Sequence, residues 1–455
     1  MSVFSVLENL MSAFSGFMWG TPLIVLLVGG GFFFTFYSRF IPFRHFPHAI
    51  QILRGKYDDE NDPGQISHFE ALSSALASTV GMGNIGGVAL AIHTGGPGAL
   101  FWMWVSAIIG MATKYFTCTL SIMYRGKDDT GEVQGGPMYV IEEGLGKAFR
   151  PLAVLFSVAR LIGCLVLFQA NQLAQIVRDL FYQPNDLFTS NPMAGDALTG
   201  IIAAAIVSLV IFGGIKRIGK VASRLVPFMV IMYLTAAIVI LGKHFSDIPA
   251  IFSSIISDAF TGDAVLGGAL GSIIIVGIKR AAFSNEAGIG TEVMAHGAAK
   301  TKEPVREGLV AMMGPFIDTI IVCSITAFVI LASGVDFHGD NGVTLTVMAF
   351  KHELGITGEI ILVIAVLSFS LSTMFGYSYY GRKCTSYLFG TKAKPLYNYF
   401  YVGSIVLASV ISIDIAINLI DGMFALMAIP TMTSALLLSP KVMAETRRYF
   451  SSLTH

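Results

Sequence analysis

Charge is what this chain is shortest of. Asp, Glu, Lys and Arg make up 13% of its 455 residues, about half of the roughly 25% a soluble domain carries. A protein of this size with so few charges cannot cover a water-facing surface. The charges present cancel to a net of zero, so nucleic acid is not an expected partner. Cysteine is also scarce. Cys118, Cys164, Cys323 and Cys384 fall in or beside apolar segments without metal-ligand spacing, and they read as free core thiols. Residues 1–20 lack a basic n-region, so no cleavable signal peptide is expected. No constellation of nucleophile, metal ligands or cofactor-binding residues stands out, and the chain does not read as an enzyme.

What is abundant is apolar. Hydrophobic residues make up 54% of the chain and come in runs of about 20, long enough to cross a hydrocarbon core of ~30 Å. The 48 Gly and 34 Phe suit close helix packing with aromatic filling. Hydropathy and breakers predict an all-α polytopic protein of the cell (inner) membrane with about eleven spans. They run over 16–37, 67–92, 99–124, 150–182, 196–213, 221–242, 264–298, 305–334, 357–389, 396–413 and 419–440. Those at 150–182, 264–298 and 357–389 are long for one crossing and are expected to tilt, project or be interrupted. Twenty-two Lys and Arg lie in alternate loops between residues 39 and 448, whereas the opposite loops hold Lys243 and Lys351. Basic loops stay cytoplasmic, which predicts an external N-terminus and an internal C-terminus. Trp19, Trp102 and Trp104 fall near the predicted outer helix ends, as an interfacial belt would, and His93 reads as interfacial.

Two spans contain stretches that a continuous helix would avoid. In the second span, Ser78-Thr79-Val80-Gly81-Met82-Gly83-Asn84-Ile85-Gly86-Gly87 puts four glycines in seven residues. Each costs helix stability by about 1 kcal/mol relative to Ala. In the seventh, Phe283-Ser284-Asn285-Glu286-Ala287-Gly288-Ile289-Gly290 puts three consecutive polar residues in mid-span, where such groups usually face a pathway. The GxxxG spacing of Gly83 and Gly87 also suits plain helix packing. The spacing Gly81-x-Gly83-x-x-Gly86 matches a dinucleotide fingerprint, but without the strand–turn–helix context that gives it meaning.

Each interrupted span opens a block of five, spans two to six and seven to eleven. Five is odd, so the second block enters from the opposite face. Interrupted segments at matching positions of inverted halves point to a transporter's binding site. The expected divisions are 1–66, an extra N-terminal helix with its cytoplasmic loop; 67–262 and 263–440, the two inverted five-helix repeats; and 441–455, a cytoplasmic tail.

The run Gly95-Gly96-Pro97-Gly98-Ala99-Leu100-Phe101-Trp102-Met103-Trp104-Val105-Ser106-Ala107-Ile108-Ile109-Gly110 resembles the signature of the alanine/glycine:cation symporter family. So do Thr79 to Gly87, Gln169 to Asn171, and Phe283 to Gly288, and the likeness extends over nearly the whole chain. It implies a leucine-transporter-like 5+5 inverted repeat with one extra N-terminal helix, and uptake of alanine or glycine with Na+ or sometimes H+. The chain departs from the family at the seventh span, where Ala281-Ala282 precede Phe283 and Ile289 replaces Met. Those changes bear on side-chain size preference more than on transport.

A zwitterionic amino acid at mid-membrane needs two opposite partial charges. Half-helix N-termini offer N–H groups, and unwound carbonyls suit cations. The N–H groups of Met82 and Gly83, beside Thr79, are therefore expected to meet the substrate carboxylate. Asn285 and Gln169 are expected to hold the ammonium, with Phe168, Phe283 and Ile289 closing the space around the side chain. Gln169 is also a substrate-contacting position by the resemblance, whereas Asn171 reads as a helix–helix hydrogen bond. The resemblance further implies a sodium site from the Ala77 and Val80 carbonyls with Ser372 and Thr373; the competing reading is that these hydroxyls bond their own i−4 carbonyl. A second sodium is expected near Thr79, Asn84 and Ser284, with no matching oxygen evident on the eighth span. Of the mid-membrane charges Lys114, Arg160, Lys279, Arg280, Glu286 and Asp318, ion pairing is the default, with ion coupling through Glu286 or Asp318 the alternative. Sodium is thus the expected co-transported ion and a small neutral amino acid the expected partner. A proton-coupled carrier and a channel are the competing functions. Oligomeric state is left open.

Overall fold

The computed structural model describes residues 3–260, 269–336 and 342–453. It is a helical bundle. In chain order the main helices are α1 (Val3–Met18), α2 (Thr21–Tyr37), α3 (His68–Thr79), α4 (Gly83–Gly95), α5 (Gly98–Met123), α6 (Arg150–Gly163), α7 (Leu167–Val177), α8 (Pro192–Ile211) and α9 (Gly214–Lys243). Then come α10 (Ile248–Ala259), α11 (Ala269–Asn285), α12 (Val293–His296), α13 (Pro304–Ala332), α14 (Gly342–Leu354), α15 (Ile356–Phe389), α16 (Lys394–Val410) and α17 (Ile413–Ser452). Among the described residues seven helices are long and apolar enough to cross a membrane, or nine when each of two bent pairs is one span. The pairs are α1 with α2, bent by 49°, and α3 with α4, bent by 53°.

The bundle is inside-out relative to a soluble protein. Large apolar side chains such as Leu209, Ile231 and Leu407 are exposed, while Asp318, Glu286, Glu307 and Lys114 are buried. That pattern fits lipid outside and a polar interior. Helices α3, α4, α11, α13 and α15 form the centre. α5 packs on α11 and α13, α9 on α3 and α15, and α8 on α16.

Several expected spans change on inspection. The first is preceded by α1, which lies along α17. The fourth is interrupted: α6 stops at Gly163 and α7 starts at Leu167. The start of the span at 264 and the division at 262/263 lie outside the described residues. The span at 357–389 is one unbroken helix of 34 residues. The last continues to Ser452 as a 40-residue helix, a rise of about 60 Å, so residues 441–452 of the expected tail prolong that helix. The tryptophans are tied inward: Trp19 Nε1 donates to the Asp421 carbonyl (2.9 Å) and Trp104 Nε1 to Ser324 Oγ (2.7 Å).

One end of the centre is tightly closed. Ile66 and Ala299 form a parallel bridge, with Gln65 N–H on the Ala298 carbonyl (2.8 Å) and Lys300 N–H on the Ile66 carbonyl (2.7 Å). Arg125, just beyond α5, donates to the carbonyls of Pro63, Gly297, Ala299 and Thr301. Gly64 has φ +141°, and a Cβ there would collide with the Ala299 backbone; only glycine fits this closure. A short hairpin of β1 (Gly126–Lys127) and β2 (Val133–Gln134) lies beside it. Burial pushes the Asp128 carboxyl up, but hydrogen bonds from Thr130 and Lys394 outweigh it and hold the pKa at about 2.

Candidate functional site

The first break follows from how α3 starts and stops. Its start is fixed by a capping box: Ser67 Oγ accepts from Glu70 N–H (3.2 Å) and Glu70 Oε2 from Ser67 N–H (2.9 Å). It ends where Val80 turns extended (φ −71°, ψ 95°). The Gly81 N–H, which a continuous helix would give to the Ala77 carbonyl, goes instead to Asn84 Oδ1 (2.8 Å). The Ala77 carbonyl therefore loses its usual donor. Beyond the break, the Met82 and Gly83 N–H groups open α4 with no acceptor among the described residues. A carbonyl end and an N–H end thus face the same gap.

The second break mirrors this. α11 ends at Asn285, and Glu286, Gly288 and Gly290 take positive φ (55°, 85° and 90°) before α12 resumes. Here the Ala287 N–H turns to Asn285 Oδ1 (2.9 Å), which frees the Phe283 carbonyl from its helical donor. Asn84 and Asn285 do the same job, each satisfying an N–H released by its own break.

The breaks touch. A Cβ on Gly83 would lie 3.2 Å from Phe283 Cδ1 and 3.5 Å from the Phe283 carbonyl oxygen. Behind them is a buried polar knot. Asn84 Nδ2 donates to Asp318 Oδ1 (2.8 Å), the Asp318 carbonyl (3.0 Å) and Ser284 Oγ (3.1 Å). Ser284 Oγ donates to Asp318 Oδ2 (2.5 Å), as does Thr319 Oγ1 (2.9 Å), and Asn285 Nδ2 donates to Thr319 Oγ1 (2.9 Å).

This geometry bears on two of the expectations. Asn285 already accepts the Ala287 N–H and donates to Thr319, which leaves one lone pair on its Oδ1, while the Phe283 carbonyl has lost its helical donor altogether. The second sodium site at Thr79, Asn84 and Ser284 is disfavoured because the Asn84 amide N–H group, a donor that repels cations, points into that cluster. Thr79 Oγ1 instead donates to the Ala75 carbonyl (3.2 Å).

The remaining residues divide. Phe168 sits edge-on to Phe283 (5.3 Å between centroids), and Phe424 of α17 covers Phe283 at 5.9 Å. Gln169 is buried and its Oε1 has no partner, an unspent acceptor that a ligand donor would satisfy. Thr373 and Ser372 both donate to the Phe369 carbonyl (3.0 and 2.9 Å); for Thr373 this is the i−4 bond of the competing reading, whereas for Ser372 the acceptor is i−3. Their oxygen lone pairs remain, and Thr373 Oγ1 lies hard against Gly81, the residue whose N–H the Ala77 carbonyl has lost. Ile289 is buried, and its carbonyl accepts from Thr431 Oγ1 (2.9 Å). Asn171 bridges helices, donating to the Ile411 carbonyl (2.6 Å).

The interior charges are mostly paired or hydrogen-bonded. Arg280, stacked on Phe283, and Lys279 both meet Asp421 of α17. Glu286 accepts from Tyr377 (2.5 Å) and Thr291, and Arg160 stacks on Tyr377 and Tyr380. Asp421 was missed in the sequence because it opens a span, where a carboxylate reads as interfacial. Gln172 was missed too: its Oε1 accepts the Val343 N–H (3.1 Å) and lies beside Gly86. Its position three residues after Gln169 was the available signal.

Comparisons with known proteins bear on the family and the fold. The profile of the sodium:alanine symporter family matches residues 4–455. The chain is 40% identical over 450 residues to the sodium/alanine symporter AgcS of Methanococcus maripaludis, covering 97% of each. It is 33% identical over 436 residues to the amino-acid carrier protein AlsT of Bacillus subtilis, covering 96% of this chain and 90% of that one. The solved structure of MhsT in complex with L-phenylalanine superposes with a TM-score of 0.58 at 15% identity, over 84% of this chain and 99% of that one; the likeness is one of fold.

Proposed function

The chain belongs to the sodium:alanine symporter family and is a membrane transporter, not an enzyme; we propose that it imports alanine- or glycine-sized neutral amino acids with sodium, by alternating access. In this reading eleven spans form a leucine-transporter-like 5+5 inverted repeat behind one extra helix, with the N-terminus outside and the C-terminus in the cytoplasm. The observation that carries the proposal is the pair of free N–H groups at Met82 and Gly83 facing the freed Phe283 carbonyl. The N–H groups would take the substrate carboxylate. The Phe283 carbonyl and Gln169 Oε1 would take the ammonium. Phe168, Phe283 and Phe424, packed ring to ring, would border the side chain and limit its size.

Sodium would sit where the Ala77 and Val80 carbonyls meet Ser372 and Thr373. Both hydroxyl protons already point at Phe369, so their lone pairs are presented away from it. An ion there ties the first break to α15, so substrate and ion stabilise the same closed arrangement, which is coupling in its simplest form. The pair of Arg280 with Asp421, resting on the Phe283 ring, would close the side remote from Arg125.

Radiolabelled alanine uptake into proteoliposomes, with sodium and proton gradients imposed separately, tests the proposal. Accumulation driven by sodium alone is expected. Accumulation driven only by protons would replace the coupling ion, and equilibration without accumulation would mean a channel. Protease accessibility of residues 441–455 in the same vesicles reads the orientation. For the ion site, Thr373→Ala is expected to weaken apparent sodium affinity by about 1–2 kcal/mol, roughly 5- to 30-fold, with much less effect on alanine affinity at saturating sodium. An unshifted sodium titration in that variant would remove Thr373 from the site.

A further inference from the structure

Behind the closure at the Arg125 end lies a buried cluster that neither the substrate nor the sodium reading uses. His68 opens α3, His296 closes α12, and Glu307 is in the first turn of α13. All three are buried, at 1%, 0% and 0% exposure. His68 Nδ1 bonds Glu307 Oε2, and His296 Nδ1 bonds Glu307 Oε1 (2.5 Å). One carboxylate is thus shared by two imidazoles. Both Nε2 atoms, of His68 and of His296, are buried without a partner.

We propose that His68, Glu307 and His296 form a proton-binding site, and that the proton it takes holds this end of the carrier shut. With each Nδ1–H donating to the carboxylate, both rings are neutral and the trio carries a net −1. A proton on either Nε2 brings the trio to zero, and imidazole is the side chain whose ordinary pKa puts that step near neutral pH. The facing charges are Asp58 and Arg306 toward His68, and Arg125 toward Glu307, with the Cys118 thiol of α5 nearby. The two unpartnered Nε2 atoms are the acceptors in this cluster to which a proton can add.

The placement gives the proton its consequence, on the premise that the protein works by alternating access. The two histidines come from the half-helices that flank the two breaks, while Glu307 belongs to α13. Opening this end must part α3 from α12 and break the shared hydrogen bonds. A ring still bonded to a carboxylate holds its proton more tightly than one pulled away from it. Protons therefore favour the closed arrangement by linkage, and acid on this face alone slows release on that face.

Two measurements test this independently. Hydrogen–deuterium exchange of the substrate-free wild-type protein in lipid nanodiscs is compared at about pH 5.5 and about pH 8, after correction for the intrinsic rate. Segments 62–68 and 296–307 are expected to be about fivefold better protected in acid; equal protection at both values overturns the proposal. The second is alanine exchange in proteoliposomes with pH varied only on the Arg125 face. It should slow about fivefold in acid for wild type and lose that dependence in His296→Gln and His68→Gln. Wild-type pH profiles in both variants also overturn it. Exchange protection that responds to pH in a protein that moves no alanine would sink the carrier reading and leave the proton site standing.

Discussion

Gly83→Val is expected to abolish alanine binding and uptake in a protein that still folds. Gly83 does not have a left-handed backbone, so the chain itself tolerates a side chain there. The obstacle is space. An added Cβ would sit 3.2 Å from Phe283 Cδ1 and 3.4 Å from Cε1, tighter than ordinary contact, and the two γ-methyls of valine reach about 1.5 Å further. They must enter either the Phe283 ring or the gap in front of the Met82 and Gly83 N–H groups. Either way the carboxylate loses its seat. We expect affinity to fall by at least ~100-fold, about 2.7 kcal/mol. Gly83→Ala, which demands only a small shift of the ring edge, should fall between. The check is direct alanine binding to purified, monodisperse protein; wild-type affinity in the valine variant would place the substrate elsewhere.

Asn84→Ala should damage the fold itself. The Asn84 side chain satisfies the freed Gly81 N–H and donates to both the carboxylate and the carbonyl of Asp318. Truncation strands a buried donor and under-solvates a buried carboxylate at once. At about 1–3 kcal/mol for each such group, the loss comes to roughly 2–6 kcal/mol. Unfolding in detergent at matched sodium is the measurement. A variant as stable as wild type but with a weakened sodium response would restore Asn84 as an ion ligand and dismiss the knot as the reason for its presence.

The breaks were legible because their chemistry is local. Four glycines around Asn84, and Ser284-Asn285-Glu286 in mid-span, conflict with a continuous membrane helix whatever surrounds them. What the two asparagines do was not legible, because it depends on which backbone N–H each break releases. Asp421 shows the same limit: its value comes from Arg280 and Lys279, 141 and 142 positions away in sequence, and nothing local announces it. α10 and α14 escaped because 12 and 13 residues are too short to register as crossings. His68, His296 and Glu307 fell at span ends, where ionisable residues are ordinary.

Helix α17 reaches well past a ~30 Å hydrocarbon layer, and its last turns are not loose. Arg448 pairs with Glu303 next to the start of α13, Tyr449 shares a hydrogen bond with His48 (2.8 Å), and Phe450 stacks on His45 at 3.9 Å. Its end is therefore held like a mast stepped against the same helix that carries Glu307. A fluorophore or a fiducial protein joined through an uninterrupted helical splice would keep a fixed bearing rather than tumble on a tether, and small rotations at the base would appear magnified at its tip.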